Sequence, residues 1–235
     1  MTKNKKFVVI ILFLLIESFC LQYFSNNNEE LVPKEENKTV DWNFVVKQVD
    51  DKTIDNYRKD YNNQDIIGEL VIANSNFKEI VVQTNNNEFY LDHSVDKTYN
   101  RLGSIFMDYR NMVDDRKIII YGHNSEDIYT EFNLLENYLN FDYYREHQDI
   151  YFKTINNNYH YKVFSVFIVI NDYRYINLNF SDDEYNKHLK YLKEQSVYDT
   201  YIDVNDNDEI IVLQTCYFQP KNSYLVVVGK KLIND

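Results

Sequence analysis

The sequence predicts a mainly β domain: a mixed or antiparallel barrel of about eight short strands with helices at its edges. Two observations carry that expectation. From Ile66 onward the chain breaks into short runs rich in β-branched and aromatic residues, separated by Asn-rich turns. Only two or three segments show helical spacing, and strands mostly follow strands, which argues against a doubly wound sheet. No segment repeats at a fixed period.

The elements follow in order. Trp42, Val45, Val46, Val49, Ile54 and Tyr57 recur at mostly three- and four-residue spacing, with Asp41 as a possible cap, so 41–62 reads as a helical extension of one or two helices. Strands are expected at 66–73, 79–84, 88–93 and 103–108. "KIIIYGH" (117–123) is a strongly apolar strand closed by Gly122. A helix is expected over 129–147, with Phe132, Leu135 and Leu139 on one face. "DIYFKTI" and 158–170 form a hairpin around "NNN". "SDDEYNKHLKYLKEQS" is a helix whose Ser181 and Glu184 make a capping box and whose Asp182 and Asp183 suit the positive helix end. Two last strands lie at 209–216 and 223–232.

Composition bounds the function. The 235 residues are 44% hydrophobic and 16% aromatic, enough for one domain with a sizeable core plus a tail. The net charge of −12 argues against nucleic acid, which needs clustered Lys and Arg, and against broad adhesion to anionic surfaces. A solvated acidic surface is the simpler reading.

The amino terminus stands apart. Lys3, Lys5 and Lys6 precede the apolar run "FVVIILFLLI", the pattern of an export signal. No small-residue cleavage site follows, and Phe19 before Cys20 does not suit lipoprotein processing. Residues 1–24 therefore read as an uncleaved signal anchor with its amino terminus inside; a cleaved signal peptide and a buried cytosolic helix are the alternatives. Residues 25–40, polar and containing Pro33, read as a linker, and 41–235 as the folded domain.

Export makes the cysteines informative. Cys20 lies in the anchor, so Cys216, in "IIVLQTCYF", has no partner in an outside domain. It is either a buried inert residue or a reactive nucleophile. A thiol is activated by a neighbour that favours its thiolate, usually histidine. Among five histidines, His147 and His188 sit in helical segments beside charges and read as surface positions. His160 alternates within a strand and reads as a pairing or surface residue, and His93 is a weak candidate. His123 differs, because an apolar strand and Gly122 deliver it to a rim. Cys216 likewise ends an apolar strand, so the two could meet in a Cys–His arrangement for acyl transfer, or could be two strand ends without contact. No cofactor is called for. Asp residues alternate in "DVNDNDE" (203–209), but the central Gly and terminal Glu of a calcium loop are missing, so this reads as a polar turn and no metal is expected.

"EIVVQTNNNEFYL" (79–91), "GSIFMDYRN" (103–111), "IIIYGHN" (118–124) and "VLQTCYF" (212–218) together resemble a class B sortase, in the family's order over roughly Ile66 to Lys231. The resemblance implies an eight-stranded barrel and a cysteine transpeptidase held by a single-pass anchor on the outer face of a Gram-positive membrane. It implies partners of two kinds: secreted proteins bearing a sorting signal, and a peptidoglycan precursor or cross-bridge amine. It makes Cys216 the nucleophile that forms a thioester and His123 the acid and base. The family also uses an arginine on the strand after the cysteine. Here no arginine follows Cys216, and Tyr224 stands about where it belongs. A phenol donates one hydrogen bond but carries no charge and no fork. Gln214 replaces a small residue, and Arg110 reads as a structural ion-pair partner. The loop 171–180 and the helix after it resemble the family's insertion beside the active site. The alternatives are a weak or inactive descendant that binds sorting-signal or cell-wall peptides, and a cysteine hydrolase of another type.

Overall fold

The structure, a computed structural model, describes residues 52–232. The expected anchor (1–24), linker (25–40) and the first part of the helical extension lie outside the described residues. No helix among the described residues is long and apolar enough to cross a membrane.

Eight strands close into a barrel in the order β1-β2-β3-β4-β7-β8-β6-β5. They are β1 (Ile66–Ile72), β2 (Lys78–Val82), β3 (Ile105–Met107), β4 (Lys117–Tyr121), β5 (Asp149–Thr154), β6 (Asn158–Ile170), β7 (Ile210–Tyr217) and β8 (Ser223–Lys231). The β2–β3 and β4–β7 pairs are parallel and the rest antiparallel, so the barrel is mixed. Closure removes the sheet edges that would otherwise expose unpaired backbone groups.

Residues on β4, β7 and β8 are apolar on both faces because both faces are covered. One buried cluster draws on all eight strands and includes Ile118, Ile120, Ile211, Leu213, Leu225 and Val227; it fills the barrel. The alternate residues Ile119, Ile210, Val212, Val226 and Val228 form a second cluster with Tyr185, Leu189 and Leu192 of a helix. That helix, Asp182–Glu194, carries the expected capping box of Ser181 and Glu184. A short helix, α1 (Ile54–Asp60), is capped by Thr53 and buries Ile54 and Tyr57.

Two expected elements differ. Residues 88–93 do not form a strand; Phe89–Leu91 is a 3-10 turn. Asn86 Oδ1 accepts the backbone N–H groups of Glu88 and Phe89 at 2.8 and 2.9 Å, which curls the chain before any ladder can form. The single helix expected over 129–147 is a 3-10 helix, Glu131–Leu139, followed by α2 (Phe141–Glu146). Asn140 is extended (φ −93, ψ 123), and its side chain caps α2, so the break comes from an N-cap residue inside an otherwise helical pattern. The Asp182–Glu194 helix is then α3.

Candidate active site

β4 and β7 run parallel with Tyr121 opposite Gln214, so both strands leave the barrel at the same end. Pairing continues past the strand: Gly122 N–H donates to Gln214 O at 3.2 Å. The buried Thr215 hydroxyl donates to Gly122 O at 2.7 Å. Asn124 Nδ2–H donates to Cys216 O at 2.9 Å. His123 and Cys216 each lie two residues beyond the Tyr121–Gln214 pair, and the two strand ends that carry them are thus cross-linked. Both strand ends thus reach one rim of the barrel.

Gly122 is explained by packing rather than by a special backbone angle. A Cβ there would lie 2.7 Å from two atoms of the Phe132 ring, so the ring can press on the turn only because the position is glycine. The chain after His123 is fixed by Thr130, whose hydroxyl donates to His123 O at 2.6 Å.

Among the described residues, no hydrogen bond joins the imidazole to the sulfur. The half-buried His123 ring donates Nε2–H to the Leu91 carbonyl at 2.6 Å. A carbonyl only accepts, so in the neutral ring this bond fixes the tautomer and leaves the lone pair on Nδ1. Leu91 belongs to the 3-10 turn that the sequence pattern presented as a strand. Cys216 is exposed at the surface, yet the atoms packed around its sulfur withdraw it from bulk water enough to push the thiol's pKa up. That burial favours the neutral thiol over the thiolate.

Tyr224 lies directly opposite Cys216 in the β7–β8 register. Cys216, Gln214 and Tyr224 alternate onto the outer face, with Val212 and Val226, where the loop 171–180 stands. Tyr173 from that loop places its ring 6.3 Å from that of Tyr224. Tyr175 donates its hydroxyl to Gln214 Oε1 at 3.1 Å. Withdrawal from water raises the Tyr224 phenol's pKa, and the neighbouring Tyr173 and Cys216 raise it further, so it stays protonated as a hydrogen-bond donor. The thiol is thus bordered by phenols rather than by a guanidinium. Lys230 is directed elsewhere, to Asp203 O at 2.9 Å and Asp208 at 3.1 Å.

The other candidates resolve as structure. Arg110 forks onto Asp108 at 2.8 and 2.7 Å, the ion pair expected for it, and Tyr121 donates to the same carboxylate. His160 bonds Asp149 at 2.7 Å. His147 and His188 are not surface residues. His147 is stacked on Tyr143 at 3.8 Å, and His188 is buried and stacked on Phe180 at 4.5 Å. In both cases an aromatic neighbour covers a helix face that charged sequence neighbours made look solvated. The acids of 203–209 hold the turn and nearby lysines: Asp208 accepts Asn205 N–H and pairs with Lys230, Asp203 pairs with Lys193, and Glu209 pairs with Lys231.

A closed mixed barrel with a cysteine and a histidine at adjoining parallel strand ends has the groups that thiol-based acyl transfer needs. The sortase domain family matches residues 70–232. Sortase B of Listeria monocytogenes is 33% identical over 173 residues, 72% of this chain and 70% of that protein. Sortase B of Staphylococcus aureus is 32% identical over 173 residues, with the same coverage of 72% and 70%. A solved Staphylococcus aureus sortase B–substrate complex superposes with a TM-score of 0.71 at 28% identity, covering 83% of this chain and 92% of that one. The chain belongs to the sortase family, among class B relatives, and is a cysteine transpeptidase.

Proposed function

We propose that Cys216 and His123 perform the transpeptidation, with Tyr224 in the place of the family's arginine. The observation that supports this reading is the cross-linked parallel end of β4 and β7, from which Cys216, the one cysteine among the described residues, and His123 both emerge.

On this reading the neutral thiol gives its proton to His123 Nδ1 as substrate closes over the rim. The sulfur attacks the carbonyl carbon of the sorting signal's threonine, and the carbonyl electrons move onto oxygen. The Tyr224 hydroxyl donates to that developing anion. The C–N bond then breaks, the departing amine takes the proton from the imidazolium, and a thioester remains. An incoming cell-wall amine attacks the thioester and loses its proton to His123; the C–S bond breaks, sulfur leaves as thiolate, and the imidazolium returns the proton to it, restoring the neutral pair. The Leu91 carbonyl holds Nε2–H throughout, keeping Nδ1 as the exchanging nitrogen.

Residues 1–24 would hold the enzyme in a Gram-positive membrane with the barrel outside, where secreted substrates and peptidoglycan amines meet it. Incubation with a panel of sorting-signal peptides and a peptide amine tests the reading. Joined product that vanishes in Cys216→Ala and His123→Ala supports it. Cleavage that persists in Cys216→Ala or His123→Ala would overturn the assignment of those residues.

A further inference from the structure

Lys117 opens β4 and is only 3% exposed, yet among the described residues it forms no ion pair with a carboxylate. Burying an ammonium group without a counter-ion is costly, and a methionine would fill the same space, so packing alone gives no reason for it. Its Nζ donates to the carbonyls of Tyr175 and Asn177, each at 2.7 Å, and lies 2.9 Å from His188 Nε2 on α3. Those carbonyls flank the end of a 3-10 turn, Arg174–Ile176, where backbone acceptors run out of partners. The carbonyl between them, Ile176 O, accepts from Arg110 Nη2 at 3.3 Å, and Arg110 is itself held by Asp108. Three successive carbonyls of one loop are therefore gripped by donors rooted in the barrel. The opposite side of the same loop supplies Tyr175 to Gln214 and Tyr173 to Tyr224.

We propose that Lys117, assisted by Arg110, is a positioning residue that ties the loop 171–180 to the barrel so that Tyr173 and Tyr175 stand beside Cys216 and Tyr224. The value of that placement rests on Cys216 being the nucleophile; the tie itself does not.

Proton state modulates the tie. The groups facing Nζ are His188 on α3, Arg110 and Asp108 on the β3–β4 connection, and Tyr175 on the loop. Burial, and then Arg110, lower the Lys117 pKa to about 7, with Asp108 opposing. Burial, and then Lys117 and Arg174, lower that of His188 to about 3, so it is neutral. A neutral amine still donates to both carbonyls and can accept Nε2–H from His188. The closed loop thus prefers the neutral amine, and an open, hydrated loop prefers the ammonium; linkage makes closure stronger as pH rises through about 7.

Backbone hydrogen exchange on the full chain, with steady-state kinetics on a sorting-signal peptide, tests this. In Lys117→Met we expect protection over 171–180 to fall about tenfold while β4 and β7 keep theirs, KM to rise several-fold, and Lys117→Arg to restore part of both. Wild-type loop protection should rise between pH 6 and 9, and the Met variant should show no such rise. Unchanged loop protection in Lys117→Met, or a loss spread evenly over the barrel, overturns the proposal. Should Lys117→Met fail to fold, a flat wild-type pH profile does the same. Peptide cleavage and loop exchange measured together in Cys216→Ala keep the two readings apart, because activity retained there removes the assigned nucleophile while unchanged loop protection leaves the tie standing.

Discussion

Thr215 donates its hydroxyl to the Gly122 carbonyl at 2.7 Å, joining the strand end that carries Cys216 to the one that carries His123. Thr215 is fully buried, so its hydroxyl has no water to turn to. Thr215→Val keeps the shape and strands the Gly122 carbonyl, at a cost of about 1–3 kcal/mol. We expect a lower unfolding midpoint together with a fall in kcat/KM, and near wild-type values for Thr215→Ser. Thermal denaturation and peptide-cleavage kinetics on the three proteins check it.

Gly122 and Phe132 form a second such dependence. An alanine methyl at 122 would meet the Phe132 ring at 2.7 Å. Gly122→Ala should destabilise by about 1–3 kcal/mol, as overpacking does, and disturb the turn into His123. Combining it with Phe132→Leu should recover part of the lost activity. A double-mutant cycle that shows no coupling between the two positions contradicts this.

Tyr224 should act through its hydroxyl. Tyr224→Phe keeps the ring facing Cys216 and removes the donor, and a lost oxyanion donor lowers the rate by about a hundred- to a thousandfold. The effect belongs in kcat rather than KM. Tyr224→Arg, which supplies a charged donor, should equal or exceed the wild type. A fully active Tyr224→Phe, or an inactive Tyr224→Arg, argues that the residue does not stand in the arginine's place.

Lys117 leaves a mark on stability as well as on the loop. Its folded pKa of about 7 lies below the ordinary 10.5, so between these values the unfolded chain holds a proton that the folded chain has released. Stability from this group is therefore least below pH 7 and rises toward pH 10. Urea midpoints at pH 7 and 9 should rise for wild type relative to Lys117→Met. His188 gives the same sign lower down, between about pH 3 and 6.5.

Much of this fold was legible because it is written in local patterns. The apolar runs of β4 and β7 announced strands, and the Ser181–Glu184 box announced α3. Cys216 and His123 were legible as strand-end residues, although the parallel pairing that unites them is a long-range fact. What local pattern missed was decided by single side chains or by tertiary cover. Asn86 turned an expected strand into the 3-10 turn that offers Leu91 to His123. Asn140 broke a helix by capping its second half. His188 and Lys117 are buried by elements remote in sequence, which no spacing rule near either residue could reveal.

The account stands most directly on where the acyl group goes. Intact-mass analysis of the enzyme mixed with a sorting-signal peptide, without amine, should show one acyl adduct mapped to Cys216. The adduct should be released by added amine or hydroxylamine and be absent in Cys216→Ala. An adduct on another residue, or turnover that survives Cys216→Ala, would contradict it.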